Sequence, residues 1–134
     1  MFQTLNYLHI AAAALVYFII GAVWYSLLFQ KAWMALIGVT PTEADKKGMP
    51  LMFGMTFILN LVITFATAGV LYFVSPNSIL ASLKVGALLG VCLVAPTTAM
   101  NYMYAKRPFK LTLIDSGYHV VAIMVVSVIL SLWH

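Results

Sequence analysis

The sequence predicts an all-α integral membrane protein, an up-and-down bundle of four transmembrane helices joined by short loops. Of its 134 residues, 64% are hydrophobic and only 7% are charged, whereas soluble domains carry about 25% charged residues. The mean hydropathy is +1.05, and short polar breaks divide the chain into four apolar runs. This composition excludes a soluble domain and a disordered chain, because neither can expose so much apolar surface to water.

We place the four spans in a single transmembrane domain covering residues 1–134, at Tyr7–Phe29, Leu51–Phe73, Val85–Met103 and Leu111–Trp133. Each run is near the roughly 20 helical residues that cross a bilayer core. Helices are expected because every backbone polar group in lipid must be satisfied within its own segment. No Lys or Arg precedes the first run, so we expect a retained span there and not a cleaved signal peptide.

The breaks between the runs have their own local chemistry. Gly48 and Pro50 are expected to bend or break a short helix that leads into the second span. The segment Ser75–Ser78 contains Pro76 and predicts a tight turn. Pro96 lies inside the third run and predicts a kink there. Simple kinking and a gating hinge are both open interpretations of Pro96.

The distribution of basic residues predicts the orientation in the membrane. Six of the seven Lys and Arg residues lie in the first and third connections, and only Lys84 is assigned to the second connection. Because basic loops remain in the cytoplasm, both termini are expected outside, with the two basic loops in the cytoplasm. The net charge of +4 is accounted for by this topology and by anionic lipid headgroups, so no nucleic-acid partner is expected.

Polar side chains are concentrated in the half of the membrane that faces the basic loops. Asp115 and His119 are four residues apart, so they share a helix face and can interact directly. All four runs bring hydrogen-bonding groups to similar depths, at about 1.5 Å per residue from the ends of the spans. This polar cluster consists of Asp115, His119, Trp24, Tyr25, Asn60, Thr97 and Asn101. Tyr17 is assigned to the opposite half of the membrane.

Two interpretations of the cluster are open. In one, Asp115 is wetted from the cytoplasm, pairs with Lys110, Arg107 or His119, and fixes the register of the helices, with Asn and Thr side chains joining neighbouring spans. In the other, Asp115 and His119 line a cavity open to the cytoplasm that binds a cation, a proton or a small polar solute, since ionisable residues at membrane depth tend to be functional.

The remaining motifs concern packing and the absence of catalytic signatures. Gly21, together with Gly86 and Gly90 in a GxxxG pattern, predicts close helix packing. His9 belongs to the opposite leaflet from His119, so no metal site is expected. No known catalytic motif occurs in the sequence. We therefore expect neither an enzyme nor a bound cofactor.

Two stretches of the sequence carry a resemblance to a known family. They are Gly21-Ala22-Val23-Trp24-Tyr25, followed by Phe29 and Trp33, and Asp115-Ser116-Gly117-Tyr118-His119. Together they resemble a family of small bacterial four-span membrane proteins of unknown function. The resemblance covers essentially the whole chain. It implies a bacterial inner-membrane protein with this topology and implies no activity.

The leading functional hypothesis is a small transporter or channel-type protein with a cytoplasm-facing polar cavity around Asp115 and His119. The alternative is a structural or accessory membrane protein that assembles with itself or a larger complex without transport activity. Four spans enclose little interior, so we expect a homo-oligomer, a dimer or a trimer. Both family motifs fall at one depth, which predicts that Trp24 or Tyr25 contacts Asp115 or His119.

Overall fold

The expected all-α architecture is confirmed in a computed structural model, which describes residues 7–28, 31, 35 and 43–132. These described residues contain helices and no strand. The helices are α1 (Tyr7–Val23), α2 (Glu43–Val74), α3 (Ile79–Leu89), α4 (Ala95–Tyr104) and α5 (Phe109–Leu132). Short π-helical segments, Trp24–Leu28 and Gly90–Val94, follow α1 and α3.

Within the described residues, four helical stretches are long and apolar enough to cross a membrane. We call them the first to fourth spans: Tyr7–Leu27, Pro50–Val74, Ile79–Tyr104 and Phe109–Leu132. The outward-facing side chains fit a lipid environment, since Leu27 is 78% exposed and Leu51 is 72% exposed. The four apolar helices are compatible with a multi-pass membrane protein. The predicted span ends Phe29 and Trp133, and Trp33 between the first two spans, lie outside the described residues.

The third span begins earlier than its hydropathy predicts. The helix starts at Ile79 and not at Val85, because the Ser78 hydroxyl caps it by accepting a hydrogen bond from the Ala81 amide at 3.0 Å. Lys84, which the sequence assigned to a connection, is an exposed residue within this helix. A long Lys side chain can extend along a helix to reach the membrane surface, so a charge near a span end does not mark the helix boundary.

The second span is the continuation of a helix that begins before it, with no interruption between the two parts. Helix α2 runs from Glu43 to Val74, through Gly48 and Pro50. The expected break is therefore wrong. A proline removes one backbone hydrogen bond, and a helix of this length retains the bonds on either side.

The π-helical segment of the third span lies directly before Pro96. The Ala95 amide donates to the Gly90 carbonyl, five residues earlier, and Pro96 occupies the first turn of α4. Because the backbone before Pro96 is helical, the missing amide interrupts the helical hydrogen bonds at this residue. The hydroxyl of Thr97 donates to the Leu93 carbonyl at 2.6 Å. The π-helical segment thus changes the rotational phase of α4 relative to α3, at the position where the sequence predicts a kink.

The fourth span is the centre of the bundle. It contacts each of the other three spans, and the first span also packs on the second, while the second and third spans barely meet. In the most apolar stretch of the fourth span 44% of the residues are buried, whereas in that of the third span only 17% are buried. The first, second and fourth spans therefore form a three-helix core, and the third span packs on the far side of the fourth.

Two glycines allow the third and fourth spans to approach closely. A Cβ atom on Gly86 would lie 2.9 Å from the Met124 Cα, and one on Gly90 would lie 2.9 Å from the Val120 Cα. The GxxxG pattern is thus used within the chain. Toward the C-terminal end of the fourth span, the third and fourth spans are also joined by a hydrogen bond of 2.7 Å between the Ser82 and Ser131 hydroxyls.

Basic residues mark one end of the bundle. The connections between the first and second spans and between the third and fourth spans both lie there. They carry Lys31, Lys106 and Arg107, and Lys110 lies in the first turn of the fourth span. We call this the basic end. Lys106 follows the third span with a φ of 57°, and the Arg107 amide donates to the Tyr102 carbonyl at 2.9 Å. The left-handed backbone conformation of Lys106 turns the chain sharply into the fourth span.

Candidate functional site at Asp115

Asp115 is a buried carboxylate near the basic end of the fourth span, with 7% of its surface exposed. Two tyrosine hydroxyls donate hydrogen bonds to it. Tyr25 from the first span binds Oδ1 and Tyr102 from the third span binds Oδ2. The carboxylate thereby joins three spans through one side chain. The expected contact between the two family motifs is confirmed by the Tyr25–Asp115 hydrogen bond.

His119 lies one helical turn farther from the basic end and has a different partner. Its Nδ1 is 2.5 Å from the hydroxyl of Tyr17, on the first span. The rings of Tyr17 and Tyr118 meet edge to face, with centroids 5.4 Å apart. The rings of Tyr118 and Tyr25 also meet edge to face, with centroids 5.5 Å apart. A continuous group of aromatic rings therefore connects the surroundings of Asp115 with those of His119.

The two family motifs fit together in a reciprocal way. Gly117 lies under the indole of Trp24, since a Cβ on Gly117 would be 3.1 Å from Trp24 Cζ2. Gly21 lies against the phenol of Tyr118, whose hydroxyl would be 2.8 Å from a Cβ on Gly21. The indole Nε1 of Trp24 donates to the Ile114 carbonyl at 3.0 Å. Each motif supplies a glycine that makes room for an aromatic ring of the other.

The second span contributes Asn60, which is 3% exposed. Its carboxamide faces the hydroxyl of Tyr118, yet the Asn60 Nδ2 makes no hydrogen bond of ordinary geometry. The Tyr118 hydroxyl donates instead to the Tyr17 carbonyl, at 3.3 Å. Asn60 thus lies at the depth of Tyr118 and His119, as its sequence position predicts.

The structure also separates residues that the sequence grouped together. Thr97 and Asn101 lie on exposed positions of the third span, and no described contact brings either to Asp115. Asp115 and His119 share a helix face, but each hydrogen bonds to tyrosines and not to the other. The interpretation in which Asp115 pairs with His119 is therefore corrected: the shared face points both side chains toward phenols of the first and third spans.

Two functional candidates were missed from the sequence. The polar cluster predicted from the sequence includes Asn101 but not its neighbour Tyr102. Tyr17 is predicted to lie in the opposite half of the membrane. A phenol hydroxyl lies far from its own Cα, so a tyrosine reaches groups nearly a helical turn away. The abundance of tyrosine near the levels of Asp115 and His119 was the available signal.

The electrostatic surroundings of Asp115 are unusual for a buried carboxylate. Among the residues whose side chains the structure describes, no Lys or Arg forms an ion pair with it, and its two oxygens accept hydrogen bonds from neutral phenols. Arg107 lies near Tyr102, on the exposed side of the site. In the same part of the chain, no three His, Cys, Asp or Glu side chains come together. The site can therefore hold a single small cation or a proton at the carboxylate.

Comparisons with known proteins give a family and no activity. The family model described as "Protein of unknown function (DUF1761)" matches residues 8–131. No curated protein and no solved structure matches the chain. The match covers all four spans and both of the motifs whose residues meet at Asp115.

Proposed function

The chain belongs to the DUF1761 family of proteins of unknown function, and from its Asp115 site we propose that it is a small membrane transport protein that binds a cation or a proton at Asp115. One observation carries this proposal. Asp115 is 7% exposed, accepts hydrogen bonds from Tyr25 and Tyr102, and has no described cationic partner. Both tyrosines come from other spans, so movement of either span alters the site.

The energetic argument is that a purely structural role does not require a charge. An ionised side chain at the centre of a membrane-spanning helix costs about 2.5–3.5 kcal/mol, and an asparagine can accept a hydrogen bond from a phenol without a cost of this kind. A carboxylate held by two neutral donors retains an unbalanced charge. A cation or a proton bound there would neutralise the charge, which supports a transport role over a structural one.

The setting of the site supports access from one side. Asp115 lies near the basic end, with Lys110 and Arg107 close to it in sequence. By the positive-inside rule we assign the basic end to the cytoplasm and both termini to the outside of a bacterial inner membrane. His119 and Tyr17 extend the polar groups toward the middle of the bundle. Within this proposal the protein has no catalytic role and no cofactor.

A homo-oligomer, a dimer or a trimer, completes the proposal. The third span buries little of its own surface, and the second and third spans barely meet. Four spans arranged in this way enclose little interior. A closed ring of copies would supply the remaining walls of a path across the membrane.

Flux through proteoliposomes tests the transport proposal. Purified protein is reconstituted with a pH gradient and a potassium potential, and proton and cation flux are measured for the wild type, Asp115→Asn and His119→Ala. Asn101→Ala is the matched control, because Asn101 is a polar residue of the same half of the bundle but is exposed and outside the site. We expect flux to be lost in both Asp115→Asn and His119→Ala and retained in Asn101→Ala.

A structural or accessory role is the second candidate, and one observation favours it. Asp115 and the Trp24–Ile114 hydrogen bond tie the first, third and fourth spans together. In this case Asp115→Asn reduces stability or oligomer yield and changes no flux. Flux no higher than in empty liposomes, or equal flux in the wild type and Asp115→Asn, would reject transport in favour of this role.

A further inference from the structure

The side chain of Asn60 is a buried polar group with an unused hydrogen-bond donor, its Nδ2. It is 3% exposed, and its Nδ2 makes no hydrogen bond within the described part of the chain. The backbone carbonyl of Asn60 accepts from the Thr64 hydroxyl at 2.7 Å, so the unused group is the side-chain Nδ2 and not the backbone carbonyl. An unsatisfied donor in an apolar interior is strongly unfavourable, and such groups are rare.

The hydroxyl of Tyr118, which the Asn60 carboxamide faces, is also only weakly bonded. It donates to the Tyr17 carbonyl at 3.3 Å, whereas O–H···O hydrogen bonds are usually about 2.7–2.8 Å long. Three spans therefore leave hydrogen-bonding capacity at one point in the middle of the bundle.

We propose that a water molecule binds at this point, between the first, second and fourth spans. It accepts a hydrogen bond from Asn60 Nδ2 and donates to the Tyr118 hydroxyl and the Tyr17 carbonyl. Buried waters in proteins typically make about three hydrogen bonds to otherwise unsatisfied groups. One donor and two acceptors match a molecule that both accepts and donates. A metal cation is disfavoured, because the amide protons of Asn60 would face it.

This water site adds a connection that the direct hydrogen bonds of the second span do not make. Thr64 and Thr67, the buried threonines of that span, donate to carbonyls of their own helix. The water joins Asn60 to the first and fourth spans near His119, whose Nδ1 contacts the Tyr17 hydroxyl. The site does not depend on transport, because either function proposed above is compatible with it.

A pair of substitutions tests the site through stability. Asn60→Leu keeps the approximate size of the side chain and removes the amide, and Ser116→Ala removes the other buried group without a partner, the Ser116 Oγ. If a water satisfies Asn60, Asn60→Leu raises the unfolding constant about tenfold, as loss of a bonded buried group does. Ser116→Ala should leave it unchanged or lower it. An Asn60→Leu protein as stable as the wild type would overturn the proposal.

A direct measurement separates the loss of a water from a packing defect. Proton-detected solid-state NMR of the protein in lipid bilayers measures magnetisation transfer from water to the side-chain amide of Asn60. The exposed amide of Asn101 is the positive control. We expect transfer to Asn60 in the wild type and its loss in Tyr118→Phe. Transfer to Asn101 without transfer to Asn60, or transfer to Asn60 that persists in Tyr118→Phe, contradicts the assigned site.

Discussion

Gly21 and Tyr118 share one small space between the first and fourth spans: a Cβ on Gly21 would lie 2.8 Å from the Tyr118 hydroxyl and 3.0 Å from its Cζ. Tyr118 is 6% exposed and its ring is held by those of Tyr17 and Tyr25. The ring therefore has little freedom to withdraw. The absence of a side chain at position 21 is what allows the two family motifs to meet.

Gly21→Ala is expected to destabilise the protein by about 1–3 kcal/mol, the usual cost of overpacking a filled interior. Reversible unfolding in mixed detergent measures the change. Gly54→Ala is the matched control, because a Cβ on Gly54 has no neighbour within 4 Å, and it should cause no loss. Tyr118→Phe should reduce part of the cost of Gly21→Ala in a double-mutant cycle. Equal effects of the two glycine substitutions would contradict this account.

Gly86→Ala and Gly90→Ala are expected to be at least as damaging, because the new Cβ atoms would meet backbone. Met124 Cα and Val120 Cα are each 2.9 Å away, and backbone atoms can withdraw only if the two spans separate. The predicted loss is about 2–3 kcal/mol each. Unfolding of single variants measures the loss, and sedimentation reports the oligomeric state. Dissociation of an oligomer without a change in the stability of the subunit would show that this GxxxG surface faces a second copy.

Tyr25→Phe and Tyr102→Phe are each expected to cost about 1.5–3 kcal/mol, as the loss of a hydrogen bond to a charged group does. Each removes one of the two donors to Asp115. In an Asp115→Leu background the same substitutions should have almost no effect, because no carboxylate oxygen is left without a donor. The double-mutant cycle measures this coupling. Additive losses would mean that the tyrosines act on stability independently of Asp115.

Lys106→Gly is expected to stabilise the protein by about 1 kcal/mol, because Lys106 has a φ of 57° and side chains are disfavoured in the left-handed region. The hydrogen bond from the Arg107 amide to the Tyr102 carbonyl should be retained. Lys106→Ala removes the same charge but keeps a Cβ, so it serves as the control and should give no gain. Equal stabilisation by both variants would assign the effect to charge and not to backbone conformation.

Composition determined the class of this protein, and the polar breaks between apolar runs predicted four spans. A chain with 64% hydrophobic and 7% charged residues cannot cover a soluble surface, so four apolar helices follow from the cost of unsatisfied backbone in lipid. The contact between Tyr25 and Asp115 was also predictable, since both lie at the same distance from span ends that face the basic connections. Depth depends on residue count, which a sequence provides directly.

Which face of each span meets which neighbour was decided only by the tertiary structure. The π-helical segment Gly90–Val94 changes the helical phase of the third span, so Tyr102 meets Asp115 while its neighbour Asn101 is exposed. Tyr17 likewise meets His119 because its hydroxyl reaches beyond its own turn. A span surrounded by lipid is apolar on every side. Hydropathy therefore does not indicate which side of the helix faces its neighbours. Close packing around Gly21 and Gly117 supplies that information instead.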